Sequence, residues 1–122
     1  MATSAILQTV TGVAGADLSS SQFLVVKQNS SAQIVLAGAS DTTQVGVLQD
    51  KPASGKAGCV AVSGLTKAVA GAAVTAGVAV TSDASGKVIA ATTGKKIIGY
   101  AWTAAAGANE IISVLLLPAG LA

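Results

Sequence analysis

The sequence predicts an all-β protein: one small β-barrel or sandwich of about nine short strands, preceded by an extended N-terminal arm. Three observations predict it. A hairpin signal sits in KAVAGAAVTAGVAVTSDASGKV, residues 67–88. Short runs of Val, Ile and Leu recur at regular spacing between clusters of Gly, Ser, Asn and Pro. No stretch sustains a long helical pattern. The expected division is an arm over residues 1–20 and a β-domain over residues 21–122.

In chain order, residues 1–20 are rich in Ala, Thr, Ser and Gly. Ile6, Val10 and Val13 fall at a helical spacing, but Gly12, Gly15 and the β-branched residues argue against a robust helix. Two readings stand side by side: a frayed terminus, or a docking arm that orders when Ile6, Leu7 and Val10 find an apolar groove. Residues 23–28 (FLVVKQ) and 32–38 (AQIVLAG) read as strands joined by a turn at Asn29-Ser30-Ser31. Gln44–Leu48 is a third strand, stopped by Pro52, after which residues 52–58 read as a flexible loop. Residues 59–64 (CVAVSG) and 65–70 form the next expected pair, turned at Ser63-Gly64.

Residues 71–77 are too short and too Gly-bounded for a stable helix. They read as a tight bend, or one helical turn, feeding the central hairpin. There Val78 and Val80 alternate with Ala79 and Thr81, the period of a half-buried strand. In Asp83-Ala84-Ser85-Gly86 the Asp suits the first position of a type I turn and the Gly the fourth. Residues 87–91 return as the partner strand. IIGYAW (residues 97–102) and EIISVLLL (residues 110–117) are apolar on successive residues, so both faces of each are expected to be covered. Pro118 should end the last strand. No exact internal repeat is evident.

Composition bounds the function. The chain has 122 residues, 52% hydrophobic yet only 2% aromatic and 10% charged. So few charges cannot cover a small sphere, and some apolar surface should be shared with another copy or another protein. No uncharged apolar run reaches the ~18 residues of a membrane-spanning helix without interruption. The N-terminus lacks the basic and apolar regions of a secretory signal. Cys59 is alone, which excludes an internal disulfide and fits folding in a reducing cytosol. The net charge of +2 comes from seven scattered Lys and no Arg, which is solubility charge rather than a nucleic-acid footprint.

Catalysis is hard to build from this inventory. There is no His, so Ser-His-Asp and Cys-His arrangements within the chain are impossible, as are the commonest transition-metal sites. Cys59 reads as a buried small hydrophobe. Asp17, Asp41, Asp50, Asp83 and Glu110 are spread singly, most of them at turns. Each Gly-Lys pair (Gly55-Lys56, Gly86-Lys87, Gly94-Lys95) lacks the glycine five residues earlier that a phosphate loop needs, since Asp50, Thr81 and Ile89 stand there. No window holds the acids of a calcium loop. No catalytic residue, cofactor or metal is therefore expected. Tyr100 and Trp102 lie two residues apart on one strand face, where packing is the better reading than a ligand platform.

From about Val45 onward the chain resembles the tailed-phage capsid decoration, or cement, proteins. The carrying segments are VGVLQDKPASGKAG (45–58), TKAVAGAAVTAG (66–77), VTSDASGKV (80–88), IIGYAW and EIISVLLL. They cover about two thirds of the chain in the family's order; residues 1–20 match poorly. The resemblance implies a small all-β virion protein, made in the bacterial host cytoplasm, that binds the outside of an assembled head. It further implies the phage major capsid protein as partner, a homotrimer, and no nucleic acid or membrane. Tyr100, Trp102, Val114 and Leu116 are then the candidate subunit interface, and Ile6, Leu7 and Val10 the candidate docking arm. The competing readings are a non-catalytic module for a carbohydrate or host surface, using Tyr100 and Trp102, and, far behind, an enzyme completed by a partner.

Overall fold

The computed structural model describes residues 5–39 and 43–117. Among them are nine strands and no helix: β1 (Ala5–Val13), β2 (Val25–Gln28), β3 (Ile34–Leu36), β4 (Gln44–Leu48), β5 (Ala57–Val69), β6 (Ala79–Ser82), β7 (Val88–Ala90), β8 (Gly99–Ala101) and β9 (Ile111–Leu116). They form one antiparallel sheet in the order β3-β2-β4-β5-β9-β8-β6-β7, with β1 added beside β5. Asp41 and Pro118 lie outside the described residues.

β5 organises this sheet. Ala61 pairs with Thr9 of β1 and with Val47 of β4, so β1 and β4 flank β5 on opposite edges. Leu65 pairs with Ala5 of β1 and with Leu115 of β9, so β9 also lies opposite β1. β4 and β9 therefore follow one another along the same edge, and the sheet forks between them. Each branch then curls back. Ala14 bridges Ile34 of β3, and the Gly15 N–H donates to the Ile34 carbonyl at 2.8 Å. Ala70 bridges Val88 of β7, and the Gly71 N–H donates to the Val88 carbonyl at 2.8 Å. The result is two half-barrels that share β5.

Two cores follow from the two curls. Val25, Val47 and Ala61 join a large cluster with Val80, Val114 and Leu116. Their neighbours Val26, Leu48 and Val60 join a smaller one with Ala14, Leu18 and Ile34. Alternate residues of β2, β4 and the first half of β5 thus feed opposite cores, and this wall is buried on both faces. Each fully buried Val or Leu contributes about 1.5–3 kcal/mol. The wall is tight. A Cβ on Gly46 would lie 1.9 Å from the Ala61 carbonyl oxygen, so only glycine lets β4 approach β5.

The turn chemistry is local and matches the sequence reading. Asp83 Oδ1 accepts the N–H groups of Ser85 (2.8 Å) and Lys87 (2.9 Å), and Gly86 takes φ +75°. β6 and β7 then pair as Val80↔Ala90, Thr81↔Ile89 and Ser82↔Val88. Asn29 Oδ1 accepts from Ser31 (3.0 Å) and Gln33 (2.9 Å), closing the turn between β2 and β3. Residues 71–77 hold bends and turns with no helix.

Three expectations change. The pair turned at Ser63-Gly64 is instead one 13-residue strand, β5. Gly64 does take a positive φ, +98°, but the strand continues through it. Its two halves find β4 and β9, which are better partners than each other. The expected arm runs from Ala5 to Val13 as β1 along β5, with Leu7 packed against the large core and Ala14 and Leu18 buried just beyond. The loop after Pro52 is tied to that segment. Its Pro52 carbonyl accepts the Leu18 N–H at 3.0 Å, and its Gly55 N–H donates to Ala14 at 2.8 Å.

Candidate docking surface

β9 presents an all-apolar face and one in which Ser113 stands between Ile111 and Leu115. Ile112, Val114 and Leu116 point into the large core and are at most 3% exposed. Ile111 and Leu117 are 48% and 54% exposed, and Leu115 is half-buried. The outward face of β9 is therefore open at Ile111 and just beyond its end at Leu117 in the single chain, while Ser113 between them is buried; the expected cover there is left to a subunit interface.

The registers extend that open face over four strands. Leu65, Leu115, Tyr100 and Ala79 are consecutive cross-strand partners from β5 through β9 and β8 to β6. All four are half-buried. Val69 opposes Ile111, and Lys67 opposes Ser113. The Trp102 N–H donates to the Ser113 carbonyl at 2.8 Å, which places the Trp102 side chain, 62% exposed, beside this row. Lys67 is the one charged residue among these positions, and its ammonium lies 5.9 Å from the Phe23 ring centroid. At that range the ring face attracts the cation, drawing its charge toward Phe23.

The residues singled out from sequence do not share one site. Tyr100 and Trp102 stand on the outward face. Val114 and Leu116 stand on the opposite face, 0% and 3% exposed, where a partner of the folded chain cannot touch them. Strand alternation separates the two pairs. In β1, Leu7 packs inward and Val10 is 47% exposed, so the candidate docking residues also divide; for Ile6 the backbone alone is described, within β1. Leu65, Leu115 and Ile111 were not singled out. Leu65, between Gly64 and Thr66, carries no apolar-run signal, and the signal of Ile111 and Leu115 is the same one a two-sided core strand gives.

The described carboxylates are occupied by backbone donors. Asp17 accepts the Ser19 N–H at 3.1 Å, and its carboxyl is held below the usual range by the Ser19 hydroxyl and then the Ser19 N–H. Asp50 accepts the Cys59 N–H at 3.1 Å, and Glu110 accepts the Gly107 N–H at 2.7 Å. With Asp83 at its turn, each described carboxylate serves a nearby backbone donor. Among the described residues no three His, Cys, Asp or Glu gather in a way that could hold a metal ion. At the fork of the sheet a cavity of about 30 Å³ is lined by Gln44, Gly46, Val62, Lys96, Ile98 and Leu116. Lys96 Nζ donates to the Gln44 carbonyl at 3.1 Å, and Gln44 Nε2 donates to the Ser82 hydroxyl. That volume holds one water and is too small for an organic substrate.

A β-sheet scaffold whose described carboxylates bind backbone N–H groups, with a broad face carrying the single charge of Lys67, has the make-up of a structural protein that works through surface contact. The chain belongs to the phage cement protein family, which it matches over residues 2–116, and its role is that of a capsid-associated structural protein of the virion. Among solved structures it is similar to the N base of head fiber gp8.5 in bacteriophage phi29, with a TM-score of 0.69 and 16% identity. That likeness covers 96% of this chain and 99% of the other, and at such identity it carries the fold alone. No curated protein sequence matches it.

Proposed function

We propose that this protein binds the outer surface of an assembled phage capsid and stabilises the shell by bridging neighbouring major capsid subunits. The observation that carries the reading is the family match over residues 2–116. Binding that favours the assembled lattice stabilises it by mass action. Several contacts made by one symmetric assembly reinforce one another, because each later contact is intramolecular. The absence of His supports a role without catalysis, and no cofactor or metal is needed for it.

The working unit is a homotrimer in this proposal, with the outward face of β5, β9 and β8 between copies. Exposed Trp102, Ile111 and Leu117 support that placement, since an interface centre is apolar and rich in aromatic residues. Electron microscopy of heads with and without the protein is the test. Density on the outside of the shell, touching two or more shell subunits, is the expected result. Density touching one subunit only would remove the bridging role. Sedimentation of the free protein as an 11.6 kDa species at micromolar concentration would remove the trimer.

A further inference from the structure

Among the described residues β1 leaves one edge open up to Gly12, and the parity of its hydrogen bonds identifies the groups that face outward. The register Val10↔Val60, Thr11↔Cys59, Gly12↔Gly58, Val13↔Ala57 runs unbroken, and the Ala14 N–H, next in line, donates to the Lys56 carbonyl at 2.9 Å. In an antiparallel ladder, residues that bond across the pair alternate with residues whose N–H and C=O turn away. Gly12 and Val10 thus share Ala14's inward direction, and Thr9, Thr11 and Val13 point their backbone groups away from β5. Gly15 continues the outward series and shows where it leads: its N–H reaches the Ile34 carbonyl of β3. That bridge is parallel, so its other bond takes the Ile34 N–H to the Val13 carbonyl, and β3 runs on from Ala14 away from Thr11 and Thr9. No turn or loop bond among the described residues takes the N–H of Thr9 or Thr11. Their side chains are exposed, as are Val10 (47%) and Val13 (43%).

Proteins blunt such an edge with charge, proline, irregularity or shortness, because it templates another strand. β3 and β7, which end the sheet path, are three residues each. β1 has nine residues, AILQTVTGV, with no charge and no proline. Its register shifts stop at Thr9, which leaves residues 9–13 regular. At about 3.4 Å per residue this edge is long enough to seat a short strand.

We propose that the edge of residues 9–12 takes an extended, uncharged segment of the capsid shell protein as an added strand, bonded through the backbone groups of Thr9 and Thr11. The proposal rests on the reading above that the protein binds the head exterior. A second copy offering its own β1 to this edge would pair two-fold and close at two copies, which the proposed three-copy assembly does not use.

The test uses the full chain and empty heads of its own phage stripped of this protein. Thr11→Pro removes an outward N–H and spares the β5 ladder, a placement proline tolerates. Val10→Pro removes an inward one. Thr11→Pro should melt with the parent and bind heads about tenfold or more weakly, since backbone bonds at the edge are lost; Val10→Pro should lower the melting temperature. If the parent protein does not bind heads, the head-exterior reading and this proposal fall together. If it binds and folded Thr11→Pro binds equally, the edge proposal alone is overturned. Hydrogen exchange on the unmodified protein decides the matter if Thr11→Pro does not fold. Protection of the Thr9 and Thr11 amides only on heads supports the proposal. Absent protection overturns it, and protection in the free protein at micromolar concentration overturns it by assigning the edge to a second copy.

Discussion

The apolar residues on the two faces of β9 meet different fates. Ile112, Val114 and Leu116 are sealed in the large core, whereas Ile111 and Leu117 are about half exposed. β2 and β4 differ again: Val25 and Val47 enter one core, Val26 and Leu48 the other, and all four are fully buried. Hydrophobicity along a strand therefore does not say what covers it. The cover comes from what the rest of the sheet folds over, and around β9 it seals one side and leaves Ile111 and the adjoining Leu117 open on the other. In the proposal above, that open part is the surface for other molecules.

Substitutions that separate the two faces test this contrast most directly. Val114→Asp should be the most damaging: an unpaired carboxylate in the core costs several kcal/mol and should prevent folding. A soluble, folded Val114→Asp protein would falsify the inward assignment. A chain beginning at Ser21 should come next. It loses β1 together with buried Ala14 and Leu18, strips one edge of β5, and should melt far below the full chain or not fold. Calorimetry of the two chains would decide, and equal melting temperatures would mean that β1 adds nothing to the domain.

Leu115→Asp, one residue from Val114, should leave the chain folded but shift it to monomer in sedimentation. An unchanged oligomer would move the proposed subunit contact elsewhere on the molecule. Gly64→Ala should cost about 1–2 kcal/mol, because the bend of β5 needs a positive φ there; denaturant unfolding would show the shift. The smallest effect should come from Asp83→Ala. It deletes two hydrogen bonds at a partly exposed turn, about 1 kcal/mol in all, and should leave oligomerisation unchanged.

Much of the architecture was legible in the sequence, and the misreadings share a cause. Gln44–Leu48 was readable to the residue because Pro52 and a β-branched run mark it. The β6–β7 hairpin was readable because Asp83 and Gly86 act within four residues of each other. Ser63-Gly64 carried an equally good turn signal and is no turn. Glycine reports only that a positive φ is available, and long-range pairing decided that it bends β5. In β1, Gly12 and Gly15 suggested a loose arm; yet Gly12 faces Ile34 so closely that a Cβ there would lie 2.8 Å from its Cγ2. A glycine required for close packing looks the same in sequence as one that loosens a chain.

By itself the sequence determined the all-β class, the local turns and the lack of groups for common chemistry. These follow from residue type and from spacings of a few positions. Only the tertiary structure decided that β4 and β9 share one edge of β5, that two cores form, and which apolar residues of β9 stay outside. Each of those depends on contacts between residues far apart in the chain. A period of two assigns residues to two faces, but it cannot say which face another part of the chain will cover.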